Sequence, residues 1–393
     1  MDSYPSCTNI LSKGFWYNYF DIVFGLLFFS IAIFFHLYGF TILSVATSAI
    51  AIGLLSISVS ELAEILAQRL EEPYSTFVLT FSAVIVEIIL LFMILLEASS
   101  ANNALTTVKG TIISAVIVDM NVLLGLAILL GGLNYKKQTH NEETSATYTT
   151  ILLVAACALL VPSIITYTDT TKDSLFTASV AIAFVLLFFY IAIFIFQTKT
   201  HSDLFKATAK SRFFRLKNKQ QEQNDEPKEH EEEDANYFFE KLSNMWNLFF
   251  IFLFIFIIGF LAEIFASDGM IVANQYGISS GLAGLIIAII AVAPEILTAV
   301  RAAKADEMQR VVNIAMGAST VSIMITVPFL MTLAYLNGIY LSLDFNALQI
   351  GALLLTIILA WKTTENGDTN YFEGLSHLTF FILYMIMATL YSG

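Results

Sequence analysis

Two glutamates lie inside long apolar segments of this chain. Glu87 follows the run Phe81-Ser-Ala-Val-Ile-Val, and Glu295 follows Ile290-Ala-Val-Ala-Pro. A carboxylate at the centre of a bilayer costs at least about 2.5–3.5 kcal/mol, so it is rarely without a function. Carboxylate oxygens bind hard cations such as Ca2+, and they also accept protons. The two acids therefore predict a site within the membrane where a metal cation and protons bind in turn.

Further oxygen ligands are expected, because Ca2+ takes six to eight and two carboxylates supply at most four. Pro294 frees the backbone carbonyl of Ile290 if both lie in one helix. The apolar segments that follow the two glutamates carry polar residues at helical spacing. The predicted auxiliary ligands are Asn121, Asp119, Ser114, Ile290, Asn313, Ser319 and Ser322. The alternatives are close helix packing by small residues and, for Asp119, a position in a water-filled vestibule.

A second pair of acids lies in a repeated tetrapeptide. Leu-Ala-Glu-Ile occurs around Glu64 and again around Glu263. With Glu72, these acids are predicted to guide cations or relay protons toward the central pair. The alternative is a set of solvated charges at the membrane surface. His36 and His377 are isolated and are interpreted as structural residues.

The composition excludes an ordinary soluble domain. Of 393 residues, 57% are hydrophobic and 13% charged, whereas soluble domains have about 45–50% and about 25%. The apolar residues form runs of about 20, which is the length of a membrane-spanning helix. The runs do not alternate with polar residues, so they indicate helices rather than a β-barrel. The two cysteines, Cys7 and Cys157, lie in different contexts, and no disulfide is expected.

Eleven transmembrane helices are predicted, and the polar stretch Ser60–Glu72 is placed after the second. They cover approximately residues 16–37, 38–58, 75–97, 108–132, 148–166, 175–196, 245–266, 278–300, 309–336, 347–361 and 371–391. One long loop, 197–244, is basic at first and then acidic around His230, a pattern typical of a solvated linker or of a segment that senses cations.

The distribution of basic residues predicts the orientation in the membrane. With eleven helices, every Lys and Arg except Lys109 and Lys172 falls on the side of the N-terminus. Positive residues accumulate on the cytoplasmic side. The N-terminus and the 197–244 loop are therefore expected in the cytoplasm and the C-terminus outside. The expected location is the plasma (inner) membrane.

The repeated tetrapeptide indicates an internal duplication. Each copy precedes a helix with a central glutamate, in the same five-helix context. Five is an odd number, so the second repeat has inverted topology, which places a site near the membrane midplane between the halves. The predicted domains are 1–37 (tail and first helix), 38–196 (first repeat), 197–244 (charged loop) and 245–393 (second repeat).

Two carboxylates also predict coupled exchange. One Ca2+ or two protons neutralise the pair, while an empty charged site is costly at membrane depth. These features favour a Ca2+:H+ antiporter, a secondary transporter rather than an enzyme, with Ca2+ and H+ as substrates, the lipid bilayer around it, and neither a cofactor nor nucleic acid. The alternatives are a Na+ or K+/H+ antiporter on the same scaffold, a cation channel, and an intramembrane hydrolase, for which no catalytic motif is present.

Several motifs resemble the calcium/cation antiporter superfamily, specifically its calcium/proton exchanger branch of the bacterial ChaA type. They are Glu71-Glu72-Pro73-Tyr74 before Glu87, Ala293-Pro294-Glu295 with Arg301-Ala302-Ala303, Gln309-Arg310-Val-Val-Asn313, Gly317, and Thr326-Val327-Pro328. The resemblance implies an eleven-helix fold, Ca2+ efflux driven by protons, and Glu87 and Glu295 as the shared site. Two departures concern ion selectivity: Gly-Asn-Ala is missing before both glutamates, and the family's Gly-Ser reads Gly317-Ala318.

Overall fold

The computed structural model describes residues 13–69, 74–97, 104–165, 172–205 and 238–390. Within these residues the chain is almost entirely helical, and eleven long helices follow one another. They are α1 (Lys13–Leu37), α2 (Thr41–Gln68), α3 (Tyr74–Leu96), α4 (Ala104–Asn134), α5 (Glu142–Ile165), α6 (Lys172–Ile195), α7 (Asn244–Tyr276), α8 (Ser280–Lys304), α9 (Met308–Leu336), α10 (Ala347–Thr364) and α11 (Tyr371–Leu390).

The helices confirm an all-α polytopic membrane protein. Ten have the length and composition to cross a bilayer, and the described side chains of α3 form the shorter apolar run Phe81–Leu96. The predicted positions of the eleven helices are correct, but two boundaries are wrong. The stretch Ser60–Glu72 was expected after the second helix, whereas α2 continues to Gln68, and α7 continues ten residues beyond 266 to Tyr276. Both helices extend beyond their predicted ends through residues that include polar side chains. The apolar pattern used for the prediction therefore stops before the helix does.

Helices α4 and α9 each contain a π-helical turn near their middle. In α4 the turn covers Asp119–Leu123, and in α9 it covers Ser322–Thr326. A third π turn, Phe196–Thr200, extends α6 and leads to the short helix Ser202–Phe205. A π turn inserts one residue into the α-helical pattern, and such turns often occur at functional sites. The sequence analysis did not predict them.

The chain forms two compact units. The first contains residues 1–86 and 224–269, and the second contains residues 87–223 and 270–393. In the first unit, polar groups join the helices: His36 Nδ1 of α1 lies 2.9 Å from Asp268 Oδ2 of α7, and Ser58 of α2 donates to Asp21 of α1. The boundaries predicted for the two repeats remain a prediction.

In the second unit, α4 and α8 run side by side in the same direction. A Cβ atom on Gly284 of α8 would lie 2.7 Å from the backbone nitrogen of Thr111 in α4. Near the other end, a Cβ on Gly131 of α4 would lie 3.2 Å from the Cβ of Ala303 in α8. The first contact joins the two helix beginnings and the second joins the two ends. Residues at corresponding distances along α4 and α8 therefore lie at similar depths.

A small β-ribbon connects two of the turns between helices. Strand β1 (Gln138–Thr139), between α4 and α5, pairs antiparallel with β2 (Asp368–Thr369), between α10 and α11. Gln138 Nε2 also donates to the carbonyl of Ala303 at 2.8 Å and to Asp306 at 3.0 Å. The ribbon thus joins the ends of α4, α8 and α10. The sequence analysis predicted no strands, because two-residue strands leave no periodic pattern.

Helices α4 and α11 approach closely enough that a methyl group does not fit between them. A Cβ on Gly374 would lie 2.4 Å from the backbone nitrogen of Leu129 and 2.6 Å from the carbonyl oxygen of Gly125. We expect Gly374→Ala to lower the free energy of unfolding by about 1–3 kcal/mol, because backbone atoms must move apart. Thermal unfolding in detergent measures this change. Gly351→Ala in α10 is the matched control, since its Cβ would have no neighbour within 4 Å, and equal melting temperatures for the two variants would contradict the expectation.

Some predicted features fall outside the described residues. They are Glu72, the charged part of the loop within 206–237 with His230, Cys7, and the N-terminal tail before Lys13. Cys157 lies in α5 and is free and exposed.

Candidate cation site

Glu87 is held by hydroxyl groups of α9. Ser322 Oγ lies 3.0 Å from both carboxylate oxygens of Glu87, and Thr326 Oγ1 donates to Oε2 at 2.9 Å. Ser322 and Thr326 are the first and last residues of the π turn in α9. Ser322 was among the predicted ligands, but Thr326 was not. Its spacing of four residues after Ser322 was the available signal, since this spacing places two side chains on one helix face.

A third carboxylate lies next to the same face of α9. Asp119, at the beginning of the π turn in α4, is fully buried, and its Oδ2 accepts a hydrogen bond of 3.0 Å from Ser319 Oγ. Its Oδ1 has no hydrogen-bond partner among the described residues. Ser319 precedes Ser322 by one helical turn, which is about 4.5 Å along the axis. Asp119 and Glu87 therefore bind to successive turns of α9.

Glu295 lies at nearly the same depth as Asp119. Starting from the contact between Thr111 and Gly284, Asp119 is eight residues further along α4 and Glu295 is eleven residues further along α8. At 1.5 Å per residue these positions are about 12 Å and about 16 Å from that contact. The charges of Glu87 and Glu295 repel each other, and Asp119 interacts electrostatically with both. Four helices, α3, α4, α8 and α9, thus bring three acids together.

The three acids are not grouped as a preformed metal centre. Within the described part of the chain, no three His, Cys, Asp or Glu side chains are grouped closely enough to hold a metal ion. The hydroxyls of Ser319, Ser322 and Thr326 hold two of the acids, while no described residue forms a hydrogen bond with the carboxylate of Glu295. Such an arrangement suits reversible binding.

Asn121 and Ser114 make hydrogen bonds away from the glutamates. The Asn121 amide donates to the carbonyl of Ile117 at 3.0 Å and to Thr356 at 2.9 Å, and its oxygen accepts from His377 Nδ1 at 3.0 Å. Ser114 Oγ lies 3.2 Å from the hydroxyl of Tyr384. The structure therefore places both side chains toward α10 or α11, and their role as cation ligands remains a prediction.

His377 is fully buried in this polar network. Because Asn121 Oδ1 only accepts hydrogen bonds, the Nδ1 atom of His377 carries the proton, and Nε2 accepts from Thr363 at 3.0 Å. Both ring nitrogens are satisfied, in agreement with a structural role. The network joins α4, α10 and α11.

Asn313 lies at a different depth from the three acids. It is nine residues before Ser322 in α9, or about 13 Å along the axis. Its amide donates to the carbonyl of Phe205 at 2.8 Å, and its oxygen accepts from Gln309 at 3.0 Å. This geometry does not favour the prediction that Asn313 shares a site with the glutamates. A polar stripe along one helix face extends over several turns, so its residues lie at different depths. Ile290 lies within α8, one turn before Pro294, as its predicted role requires.

Glu64 and Glu263 both belong to the first unit. Glu64 is half-buried near the end of α2, and Glu263 is exposed on α7. Their proposed role in guiding cations remains a prediction.

A family comparison agrees with this architecture. The model of the sodium/calcium exchanger protein family matches residues 36–199 and 246–390, which is most of the chain and includes every residue of the three-acid set. The chain belongs to the sodium/calcium exchanger protein family. The resemblance found in the sequence motifs is confirmed at this level.

Two curated relatives in this exchanger family cover most of the chain. The sodium-potassium/proton antiporter ChaA of Escherichia coli (strain K12) is 25% identical over 339 residues, 85% of this chain and 86% of its own length. A Ca2+/H+ antiporter of Aphanothece halophytica is 26% identical over 300 residues, 76% of each chain. The solved structure of native YfkE has a TM-score of 0.74 at 18% identity, covering 94% of this chain and 100% of that one. This likeness shows that the exchanger fold is shared.

Proposed function

We propose that this exchanger is a secondary active Ca2+:H+ antiporter that exports Ca2+ in exchange for protons by alternating access. The observation that supports this most directly is the position of Glu87, whose two oxygens accept hydrogen bonds from Ser322 and Thr326 with Glu295 close enough to repel it. The relative from Aphanothece halophytica, which is named a Ca2+/H+ antiporter, supports the same choice of substrates.

The coupling follows from the charges of Glu87 and Glu295. Two ionised carboxylates close together in a medium of low dielectric constant repel each other strongly. One Ca2+ neutralises both charges, and two protons do the same. If the conformational change proceeds only when Glu87 and Glu295 are both neutralised, with the charge of Asp119 the same in either form, an empty protein stays on one side. Each Ca2+ that leaves is then replaced by protons.

The remaining oxygens for Ca2+ are available nearby. Hydroxyl oxygens of Ser322 and Thr326 retain lone pairs while their hydrogens bond to Glu87. Asp119 offers Oδ1, which has no partner among the described residues, and Pro294 leaves the carbonyl of Ile290 without its helical donor. With four oxygens from the two glutamates, these groups reach the six to eight that Ca2+ requires.

Two inverted five-helix repeats, residues 38–196 and 245–393, provide the route for alternating access in this proposal. The π turns support the duplication, since they occur in α4 and α9, each of which follows a helix with a site glutamate. In this proposal the protein lies in the plasma (inner) membrane. Its N-terminus and the loop at 197–244 face the cytoplasm, and its C-terminus faces the outside. The excess of Lys and Arg on one side supports this orientation.

The two hydroxyls that hold Glu87 give a prediction about Ca2+ affinity. We expect the double variant Ser322→Ala/Thr326→Val to raise the Ca2+ concentration for half-maximal transport by about tenfold, because two buried hydrogen bonds worth about 0.5–1.5 kcal/mol each are lost. Ca2+ titrations of proton release in liposomes measure this change. Thr332→Val is the matched control, since its hydroxyl bonds only to the carbonyl of Pro328 in its own helix. An unchanged titration curve in the double variant would mean that these hydroxyls do not position Glu87.

A liposome assay tests the proposed function. Purified protein is reconstituted with a pH dye inside, and Ca2+, Na+ or K+ is added outside. We expect proton movement on addition of Ca2+. Proton movement with Na+ or K+ alone would instead favour the second candidate, a monovalent cation/H+ antiporter, for which the name of the Escherichia coli relative is the specific observation. Ion flux without any pH change would indicate a channel and contradict both.

A further inference from the structure

His140 lies buried beneath the β-ribbon that joins the turns of the second unit. It directly follows β1, is 7% exposed, and lies between α4 and α5, outside the membrane-spanning helices. Its Nε2 atom is 3.2 Å from the carbonyl oxygen of Thr364, and its backbone N–H donates to the carbonyl of Gly367 at 2.9 Å. Because a carbonyl only accepts hydrogen bonds, Nε2 carries the ring proton.

The other ring nitrogen is buried and has no partner. Nδ1 makes no hydrogen bond to any described residue. In the neutral ring this atom is an acceptor, and leaving it unbonded is tolerable. In the protonated ring it becomes a charged N–H donor inside the protein, which is far more costly without a partner. Burial and the unpartnered Nδ1 therefore favour the neutral form of His140 while the ribbon is closed.

The turn between α10 and β2 closes tightly over this histidine. Gly367 has φ of +69°, and a Cβ there would lie 3.3 Å from the carbonyl oxygen of His140 and 3.4 Å from Glu142 Cβ. A glycine is needed for this backbone conformation and for the close contact. The turn after α10 thus packs directly against the backbone at His140 and the start of α5.

Charged groups surround the ribbon on every element packed against it. They are Glu142 and Glu143 at the start of α5, Lys137 before β1, Asp368 on β2, Lys362 and Glu365 at the end of α10, Glu373 at the start of α11, Asp306 after α8, and Glu307 and Arg310 at the start of α9. Three pairs among them are ion pairs: Lys137 with Asp368, Lys362 with Glu365, and Arg310 with Glu307. Glu142 and Asp368 act electrostatically on His140. These two acids are available to a protonated imidazole once it leaves its buried position.

We propose that His140 is a pH switch that keeps the ribbon closed when neutral and releases it when protonated. This inference goes beyond the transported ions and concerns regulation. The ribbon holds the end of α4, which carries Asp119, and through Gln138 the end of α8, which carries Glu295. Release of the ribbon loosens both helices, so acidification on this side of the membrane lowers the transport rate. On the proposed orientation this side is the cytoplasm, and an exchanger that imports protons is slowed when protons accumulate there.

The direction of the pH effect follows from proton binding. Burial lowers the pKa of His140 below its usual value of 6.5, although the backbone bond to Thr364 and the charges of Asp368 and Glu142 oppose this shift. The closed state thus binds fewer protons than the open state at acidic pH. Its stability is complete above pH 6.5 and falls as the pH drops below that value, by up to about tenfold in the closed-to-open ratio per pH unit.

Hydrogen–deuterium exchange tests the switch without any transport. Exchange rates of the ribbon amides, including that of His140, are measured in the intact protein at pH 7.5 and 5.5 and corrected for the intrinsic pH dependence. We expect protection to fall by up to about tenfold per pH unit below 6.5. The same protection at both pH values would overturn the proposal, and this result does not depend on which ion is carried.

A second measurement connects the switch to transport. Ca2+ self-exchange in liposomes with equal pH on both sides compares His140→Gln with the wild type, so that proton competition at the cation site affects both proteins equally. We expect the exchange rate of His140→Gln divided by that of the wild type to be near one at pH 7.5. At pH 5.5 this ratio should rise by up to about tenfold. His201→Gln, at an exposed histidine that follows the π turn of α6, is the control. A ratio that does not change with pH overturns the link to transport, whereas absence of any Ca2+ exchange in the wild type contradicts the proposed function instead.

Discussion

Replacing Glu295 by glutamine is expected to abolish Ca2+-dependent proton movement, with a loss of at least about 100-fold. Glutamine keeps the shape of the side chain, but it removes one negative charge and has no group that binds and releases a proton at these pH values. Losing a buried charge interaction costs about 3 kcal/mol or more, and each 1.36 kcal/mol corresponds to a factor of ten. The same loss is expected for Glu87→Gln, whose amide oxygen still accepts hydrogen bonds from Ser322 and Thr326. Proton release in liposomes with an internal pH dye measures both variants.

Two comparisons separate this loss from a folding defect. The detergent-solubilised variants should elute and melt as the wild type does, because no described residue forms a hydrogen bond with the Glu295 carboxylate and the contacts of Glu87 are retained. Glu143→Gln is the control for loss of a charge at an exposed position of α5, and it should transport normally. Full transport by Glu295→Gln would contradict the two-carboxylate mechanism.

The sequence predicted the helices well because apolar length is a strong local signal. Each of the eleven runs of about 20 apolar residues is a helix in the structure. The two glutamates were found in the same way, since an acid inside such a run is conspicuous. The ends of α2 and α7 were missed because Glu61 and Glu64 in α2, and Ser267 and Asp268 in α7, interrupt the apolar pattern, although both helices continue through them. Hydropathy therefore marks the apolar part of a helix, but it does not mark the residue at which the helical hydrogen bonding ends.

The partners of the acids were less predictable because they depend on helix rotation. Ser319, Ser322, Asn121 and Asn313 were all candidates from spacing alone. The π turns in α4 and α9 add one residue to the helical repeat, so side chains beyond them lie about 100° away from the positions that a regular α-helix gives. Asn121, inside the π turn of α4, contacts His377 rather than the glutamates. The ribbon with its buried His140 depends on contacts between distant turns, which one sequence without a periodic pattern does not reveal.

The third acid leads to a prediction about ion selectivity. We expect Asp119→Asn to lower the ratio of Ca2+ to Na+ or K+ transport by about tenfold, because a divalent cation gains more than a monovalent one from each neighbouring negative charge. A tenfold change corresponds to 1.4 kcal/mol in binding. Initial rates with each cation over a range of concentrations, in the same liposome preparation, give the ratio.

Ser319→Ala separates the charge of Asp119 from its contact with α9. This variant removes the hydrogen bond of 3.0 Å to Oδ2 but keeps the carboxylate, while Asp119→Asn keeps an oxygen that accepts from Ser319 and removes the charge. If the charge determines selectivity, Asp119→Asn changes the ratio and Ser319→Ala changes it much less. Equal effects of the two variants would mean that Asp119 acts by holding α4 against α9. If Asp119→Asn does not change the ratio, Glu87 and Glu295 are the only carboxylates of the three that determine cation selectivity.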